Sequence, residues 1–216
     1  MRAIIFANGS FTHPPELQPG DLLIAADGGA RHCLALGLAP QLVIGDFDSL
    51  DDDQLSQLRQ AGAELIQYPT HKDYTDLELA LSHARQRGAR QILVLAALGG
   101  RWDQTLANVL LPAAGEYIGL DIRLIDGTQE IGLIHPRQRL EIHGQPGDLL
   151  SLIPLLGDTY GITTSGLEYP LQNETLYFGS TRGVSNVLLN PSAWVTLEEG
   201  LLLCVVIHGD ENLIGR

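Results

Sequence analysis

The stretch VIGDFDSL, residues 43–50, sets Asp46 and Asp48 one residue apart behind a short apolar run. If Val43 and Ile44 close a β-strand, side chains two apart point to one side of the backbone. Two carboxylates placed together repel each other unless a cation neutralises them. Acids recur behind other apolar runs. Asp27-Gly28-Gly29 follows LLIAA (22–26), and Lys72-Asp73-Tyr74-Thr75-Asp76 closes the segment after ELIQY (64–68). Gly99-Gly100-Arg101-Trp102-Asp103-Gln104 follows QILVLAAL (91–98). Any single one of these acids could cap a helix. Asp51-Asp52-Asp53 fits that simpler role, because acids in a first turn favour the helix dipole.

Taken together, four or five carboxylates at one edge of a sheet would be destabilising without a cation. Mg²⁺ suits such oxygen ligands and usually keeps waters and substrate phosphates in its shell. Gly28-Gly29 and Gly99-Gly100 would let a phosphate approach backbone N–H groups at helix N-termini. Arg101 and Lys72, the one lysine beside twelve arginines, supply positive charge that a polyphosphate would attract. The chemistry implied is a Mg²⁺–nucleotide site for phosphoryl-type transfer. The chain has neither a Walker A loop nor G-x-G-x-x-G after its first strand, so an ordinary P-loop or dinucleotide enzyme is not supported.

The elements that must position these residues alternate. AIIFA (3–7), LLIAA (22–26), LVI (42–44), ELIQY (64–68), QILVLAAL (91–98) and IRLI (122–125) are compact apolar runs, as buried strands are. Between them the pattern predicts helices over 29–36, 51–61, 76–87 and about 104–114. The first three end at Gly37, Gly62 and Gly88. Thr75 and Glu78 read as a capping box, with Leu77, Leu81 and Ala84 on one helix face. Strand–helix alternation predicts a mostly parallel, doubly wound α/β sheet, whose ligands bind beyond the carboxyl ends of the strands. From residue 127 the texture becomes all-β: RLEIHG, DLLSLIPL, YGITTSG, AWVTLEEG and LLLCVVI are short strands separated by turn residues. The expected architecture is α/β plus all-β, with an α/β domain over 1–126 and a small β-sandwich over 127–216.

The whole-chain properties agree with this. A net charge of −13 argues against nucleic acid as a partner. The longest apolar runs are seven residues, Ile92–Leu98 and Leu201–Ile207, far short of the roughly 20 a membrane span needs. MRAIIFANGS is too soon polar for a signal peptide, and a cytoplasmic protein is expected. Cys33 and Cys204 read as buried free thiols. The seven histidines have no zinc-ligand spacing. Trp102 is expected to pack, and Trp194 to lie in the β-domain core.

The pieces ADGGA (26–30), GDFDS (45–49), KDYTDLELAL (72–81), GGRWDQ (99–104), TTSGLEYPL (163–171) and SN (185–186) together resemble the thiamine pyrophosphokinase family, in that family's order. The resemblance implies transfer of a pyrophosphoryl group from ATP to the hydroxyl of thiamine, giving thiamine diphosphate and AMP. It implies a homodimer of chains with an α/β and a β-sandwich domain. It places Asp27, Asp46, Asp48 and Asp76 around Mg²⁺ and puts Asp73 and Thr75 in the lining of the site. Arg101 is set against the ATP phosphates. Asp103 and Gln104 fall near the transferred group and thiamine, and Ser185 and Asn186 reach thiamine across the dimer interface. Mg²⁺, Lys72 and Arg101 would withdraw charge from the phosphates, and Asp103 and Asp73 are both candidates for a general base. Two other classes compete. VIGDFDSL also looks like the aspartate loop of haloacid-dehalogenase-type phosphatases, but Leu50 stands where those enzymes have Thr or Val, and two strands precede the motif. A non-catalytic metal- or nucleotide-sensing module would have little use for Arg101 and the complete set of acids.

Overall fold

The computed structural model describes residues 1–209. The chain divides into two compact units that part between Asp126 and Gly127. In the first, strands β1 (Arg2–Phe6), β2 (Leu22–Ala26), β3 (Leu42–Gly45), β4 (Glu64–Gln67), β5 (Gln91–Leu95) and β6 (Asp121–Asp126) alternate with helices α1 (Ala30–Ala35), α2 (Asp52–Gln60), α3 (Asp76–Gln86) and α4 (Trp102–Leu110). The strands pair in parallel in the order β6-β5-β1-β2-β3-β4. β1, β2 and β3 bury every residue, which is why they read as unbroken apolar runs rather than alternating ones.

Alternation along the strands separates two faces. Ile4, Phe6, Leu23, Ala25, Val43, Leu93 and Leu95 form one core with Ala30 and Cys33 of α1 and Leu58 of α2. α3 packs on β1, β2 and β3 through Leu77, Ala80, Leu81 and Ala84, none of which belongs to that core, so it covers the opposite face. The sheet is doubly wound. Asp51 caps α2 in a full capping box with Gln54, and Thr75 Oγ1 accepts from the Glu78 N–H at 3.2 Å to start α3.

In this unit two elements, β5 and α4, depart from the expected bounds by more than a residue. β5 ends at Leu95, not at residue 98, because Ala96 turns into the left-handed region with φ +55. α4 runs from Trp102 to Leu110, earlier at both ends than expected. Its regular hydrogen bonding stops before the 3-10 turn that holds Pro112, a residue with no N–H to give. Trp102 does not pack: it is 78% exposed.

The second unit is antiparallel. Strands β7 (Gln129–Ile134), β8 (Arg139–His143), β9 (Leu149–Pro154), β10 (Thr159–Ser165), β11 (Glu174–Leu176), β12 (Asn186–Val187), β13 (Ser192–Thr196) and β14 (Leu202–Ile207) form two layers. One is β12-β9-β14-β7 and the other β11-β10-β13-β8. Ile134, Leu150, Leu152 and Val206 of the first layer share a single core with Ile142, Ile162, Leu176 and Val195 of the second, the arrangement of a sandwich. β7, β11 and β12 were not expected from the sequence. The last two, of three and two residues, are too short to show a period.

Trp194 is not in this core. Ala193 and Val195 on either side are buried, so Trp194 faces outward, where the Arg139 guanidinium lies 4.4 Å from its ring centroid. Asp148 ties the end of β14 to the β8–β9 turn. It accepts from the N–H groups of Gln145 (2.9 Å) and Gly209 (3.0 Å) and pairs with His208 Nδ1 at 2.8 Å. Cys33 and Cys204 are both buried and outside any disulfide, and burial pushes the Cys33 thiol up to about 12. Among the described residues no helix is long and apolar enough to cross a membrane.

Candidate active site

The strand order locates the site. From β1 the chain winds outward through β2, β3 and β4, then returns to place β5 on the other side of β1. Loops at the carboxyl ends of β1 and β5 therefore diverge at a topological switch point, where a crevice forms. The Gly9 N–H donates to the Ala96 carbonyl at 2.7 Å. A Cβ on Gly9 would lie 2.5 Å from that oxygen, so only glycine permits the approach. A cleft of about 750 Å³ opens here, lined by both loops, by Asp27, by part of the β4–α3 loop and by α4.

Of the residues singled out in the sequence, Asp27, Lys72, Thr75, Asp76, Gly99, Gly100, Arg101 and Gln104 line this cleft. Asn8, Ser10, Thr70, Tyr74 and Asn108 line it too, and sequence reasoning missed them. For Asn8-Gly9-Ser10 a signal existed: the segment follows the first strand at the same sheet edge, but carries no charge to draw notice.

The acids are held by backbone geometry rather than by strand alternation. Asp27 follows β2 with φ +44 and is buried. Its Oδ1 has no hydrogen-bond partner. Gly45 makes room for it, since a Cβ there would come within 2.8 Å of Asp27 Cβ. Asp46 and Asp48 lie past the end of β3, and the residue between them, Phe47, is left-handed at φ +67 and buried. The expected same-side strand geometry is thus replaced by a turn in which the Asp48 N–H donates to Asp46 Oδ1 at 3.2 Å. Ligand oxygens of Asp27, Asp46 and Asp48 all lie within 4.8 Å of one another. The bond from the Asp48 N–H holds Asp46 below the usual carboxylate range, against its partial burial and with help from Thr70 and Lys72.

Asp76, the first residue of α3, stands outside this group of three but feels it. Burial raises its pKa, Lys72 opposes the rise, and the charges of Asp27 and Asp46 add to it. Lys72 Nζ lies 3.0 Å from Asp76 Oδ1. This ion pair partly offsets the buried charge of Asp76. Asp27 Oδ1, buried and without a hydrogen-bond partner among these oxygen donors, matches the needs of a hard divalent cation.

Other expected residues sit differently. Gly28 and Gly29 are buried and do not line the cleft. A Cβ would come within 2.4 Å of Asn8 Oδ1 at Gly28 and 1.9 Å of the Phe6 carbonyl at Gly29, so close packing by itself requires glycine at both. Gly99 and Gly100 are left-handed, at φ +89 and +71. Asp73 is exposed and lies outside the lining. Arg101 is exposed, and both arms of its fork are taken by Asp103, Nε to Oδ1 at 3.1 Å and a terminal nitrogen to Oδ2. That pairing raises the Arg101 pKa and lowers that of Asp103. Ser185 and Asn186 belong to the second unit. Ser185 is left-handed at φ +62, and its N–H donates to Ser151 Oγ at 3.1 Å.

Comparison with known proteins gives a consistent result. Residues 15–116 match the family model described as thiamin pyrophosphokinase, catalytic domain. Residues 133–202 match that described as thiamin pyrophosphokinase, vitamin B1 binding domain. The thiamine pyrophosphokinase of Bacillus subtilis (strain 168) is 32% identical over 184 residues, covering 85% of this chain and 86% of that protein. Thiamine pyrophosphokinase 1 of Arabidopsis thaliana is 30% identical over 210 residues, covering 86% and 78%. The crystal structure of the Bacillus subtilis protein superposes with a TM-score of 0.85 at 28% identity, over 97% of this chain and all (100%) of that one. The Geobacillus thermodenitrificans structure gives 0.83 at 27%, over 99% and 100%.

Proposed function

The chain belongs to the thiamin pyrophosphokinase family, and on that premise we propose how its own residues carry out the reaction. The activity is transfer of the pyrophosphoryl group of ATP to the hydroxyl of thiamine, leaving AMP. One observation carries the assignment of the centre: Asp27 is buried with an unpartnered oxygen, in a group with Asp46 and Asp48 spanning no more than 4.8 Å. Asp27, Asp46 and Asp48, with Asp76 beside them, would hold Mg²⁺. The ion, when bound, neutralises charge on the phosphates and helps align them.

The remaining chemistry is positioning and electrostatics. The left-handed Gly99-Gly100 turn lines the cleft with little side-chain bulk where phosphates must pass. Thr75 and Gln104 offer polar atoms along the same wall. Lys72 is placed to turn from Asp76 toward a phosphate. The Arg101 fork, bound to Asp103 in the free protein, is the right shape for a phosphate. Moving from one to the other would also release the Asp103 carboxylate, which makes Asp103 a candidate base for the thiamine hydroxyl; Asp73 is the other. The β-unit, through the 185–186 loop, would supply the thiamine half of the site.

A homodimer is proposed as the working assembly, with that loop reaching the partner's site. An apolar stripe on α4 supports an interface: Trp102, Leu106 and Leu110 recur every fourth residue and are 78%, 57% and 45% exposed. Two experiments test these assignments. Metal-stripped protein should release AMP only when Mg²⁺ is restored, and Asp46→Asn should not recover at any Mg²⁺ level; recovery would remove Asp46 from the centre. Inactive Asp46→Asn mixed with a Ser185→Ala/Asn186→Ala variant should regain activity through mixed dimers. Folded, exchanging parents with no regain would rule out the shared site.

A further inference from the structure

The polar loop of the β-unit holds a side chain whose bonding is almost fully committed within the chain. Asn186 Oδ1 accepts from the backbone N–H groups of Tyr169 at 3.0 Å and Val187 at 2.9 Å. Its Nδ2 donates to the Tyr169 carbonyl at 2.8 Å. Three of the four hydrogen-bonding positions of the carboxamide are therefore spent. Two N–H donors on one atom and a carbonyl on the other also fix which end is oxygen.

The reason lies in the backbone around it. The segment after β10 runs antiparallel to the chain from Val187 of β12 onward. The Glu168 N–H donates to the Val187 carbonyl at 2.9 Å, and the Leu189 N–H to the Gly166 carbonyl at 2.9 Å, with Leu167 facing Leu188. Bonded pairs alternate along such a ladder, so the next would join residues 170 and 185, but Pro170 has no N–H to give and Ser185 turns left-handed at φ +62. Where the ladder stops, the Asn186 side chain takes over, offering one acceptor and one donor to Tyr169. Pro170 constrains Tyr169 from the other side, since a residue before proline is held extended. The result is a tyrosine whose backbone is fixed on three counts while it remains 63% exposed. A side chain fixed at its base and left open to solvent is preorganised for a ligand.

We propose that Asn186 is a positioning residue. It serves thiamine binding by holding the backbone of Tyr169, not by touching thiamine itself. The proposal rests on the assignment of the 185–186 loop to the thiamine half of the site. It also alters the role expected of Asn186 from the sequence, because the oxygen that would have met the aminopyrimidine is already doubly occupied.

A double-mutant cycle on the full-length protein, read as KM for thiamine, KM for ATP and kcat, tests it. Asn186→Ala should raise the thiamine KM on the order of tenfold and leave the ATP KM and kcat within about twofold. Asn186→Asp keeps both accepted bonds but sets a carboxylate oxygen against the Tyr169 carbonyl, so it should also raise the thiamine KM. It also replaces Asn186→Ala in the cycle if that variant does not fold. Tyr169→Ala should raise the thiamine KM at least as much, and the double variant should be no worse than Tyr169→Ala alone. Effects that multiply in the double variant would overturn the proposal and return Asn186 to direct contact, with the loop still at the thiamine site. If neither single variant moves the thiamine KM, the placement of the loop at that site fails as well.

Discussion

Neutralising Asp27 should make the metal-free protein more stable while removing its response to Mg²⁺. Ligand oxygens of Asp27 lie within 4.8 Å of those of Asp46 and Asp48. At that separation two unit charges repel by about 1 kcal/mol in water and about 3.5 kcal/mol at an effective dielectric of about 20. Asp48 is exposed, so the lower figure applies to it; Asp46 is half-buried and falls between the two. Asparagine keeps the shape of the side chain and tolerates the left-handed backbone at this position. Asp27→Asn in EDTA should therefore gain about 1–3 kcal/mol, which for a domain of this size raises Tm by roughly 2–10 °C. A thermal melt across a Mg²⁺ titration reads both halves. Wild type should gain Tm as Mg²⁺ is added, since a ligand bound only to the native state stabilises it; the variant should gain little. A variant that melts below wild type in EDTA and still responds fully to Mg²⁺ would refute the carboxylate-cluster account.

Three further outcomes are expected. Arg101→Ala should raise the KM for ATP on the order of tenfold to a hundredfold with thiamine KM and Tm nearly unchanged, as loss of a charge-assisted phosphate fork would do; an unchanged ATP dependence in steady-state kinetics would mean that Asp103 is its only partner. Gly9→Ala puts a Cβ 2.5 Å from the Ala96 carbonyl, and overpacking of this kind costs about 1–3 kcal/mol, so both Tm and turnover should fall; normal values would show that the two loops need not touch. Burial alone would raise the Asp148 pKa, but the N–H groups of Gln145 and Gly209 and the His208 ring outweigh it and leave it lowered. The stability Asp148 contributes is thus present above the unfolded value of about 4 and is lost as pH falls through the lower folded one. Asp148→Asn should melt well below wild type at pH 7, with the gap narrowing below pH about 4; a gap that is constant with pH would contradict this.

Much of the architecture was legible because it follows from burial. Strands covered on both faces must be apolar throughout, so β1, β2 and β3 announced themselves, and the glycines after three helices marked their ends: Gly37, Gly62 and Gly88 are all left-handed. The acids were legible by position, since each follows a strand at one sheet edge. What was not legible depends on backbone dihedrals and close approaches, which residue type only permits. Nothing in GDFDS says that Phe47 turns left-handed and sets Asp46 and Asp48 together by a turn. Nothing in ADGG separates a glycine needed for packing from one that cradles phosphate. Trp102 reads like any helix aromatic until α4 is found with no buried residue. Asn186 has chemistry that suits a ligand contact, and only the folded backbone shows that Tyr169 and Val187 take three of its hydrogen-bonding positions.

The central claim is that this chain moves two phosphoryl units together from ATP to thiamine at a centre built on Asp27, Asp46 and Asp48. The most direct measurement is product analysis by chromatography after incubating the purified protein with ATP, thiamine and Mg²⁺. The account predicts AMP and thiamine diphosphate in equal amounts, with neither formed when EDTA is present or thiamine is withheld. ADP with thiamine monophosphate, or inorganic phosphate released without thiamine, would contradict it.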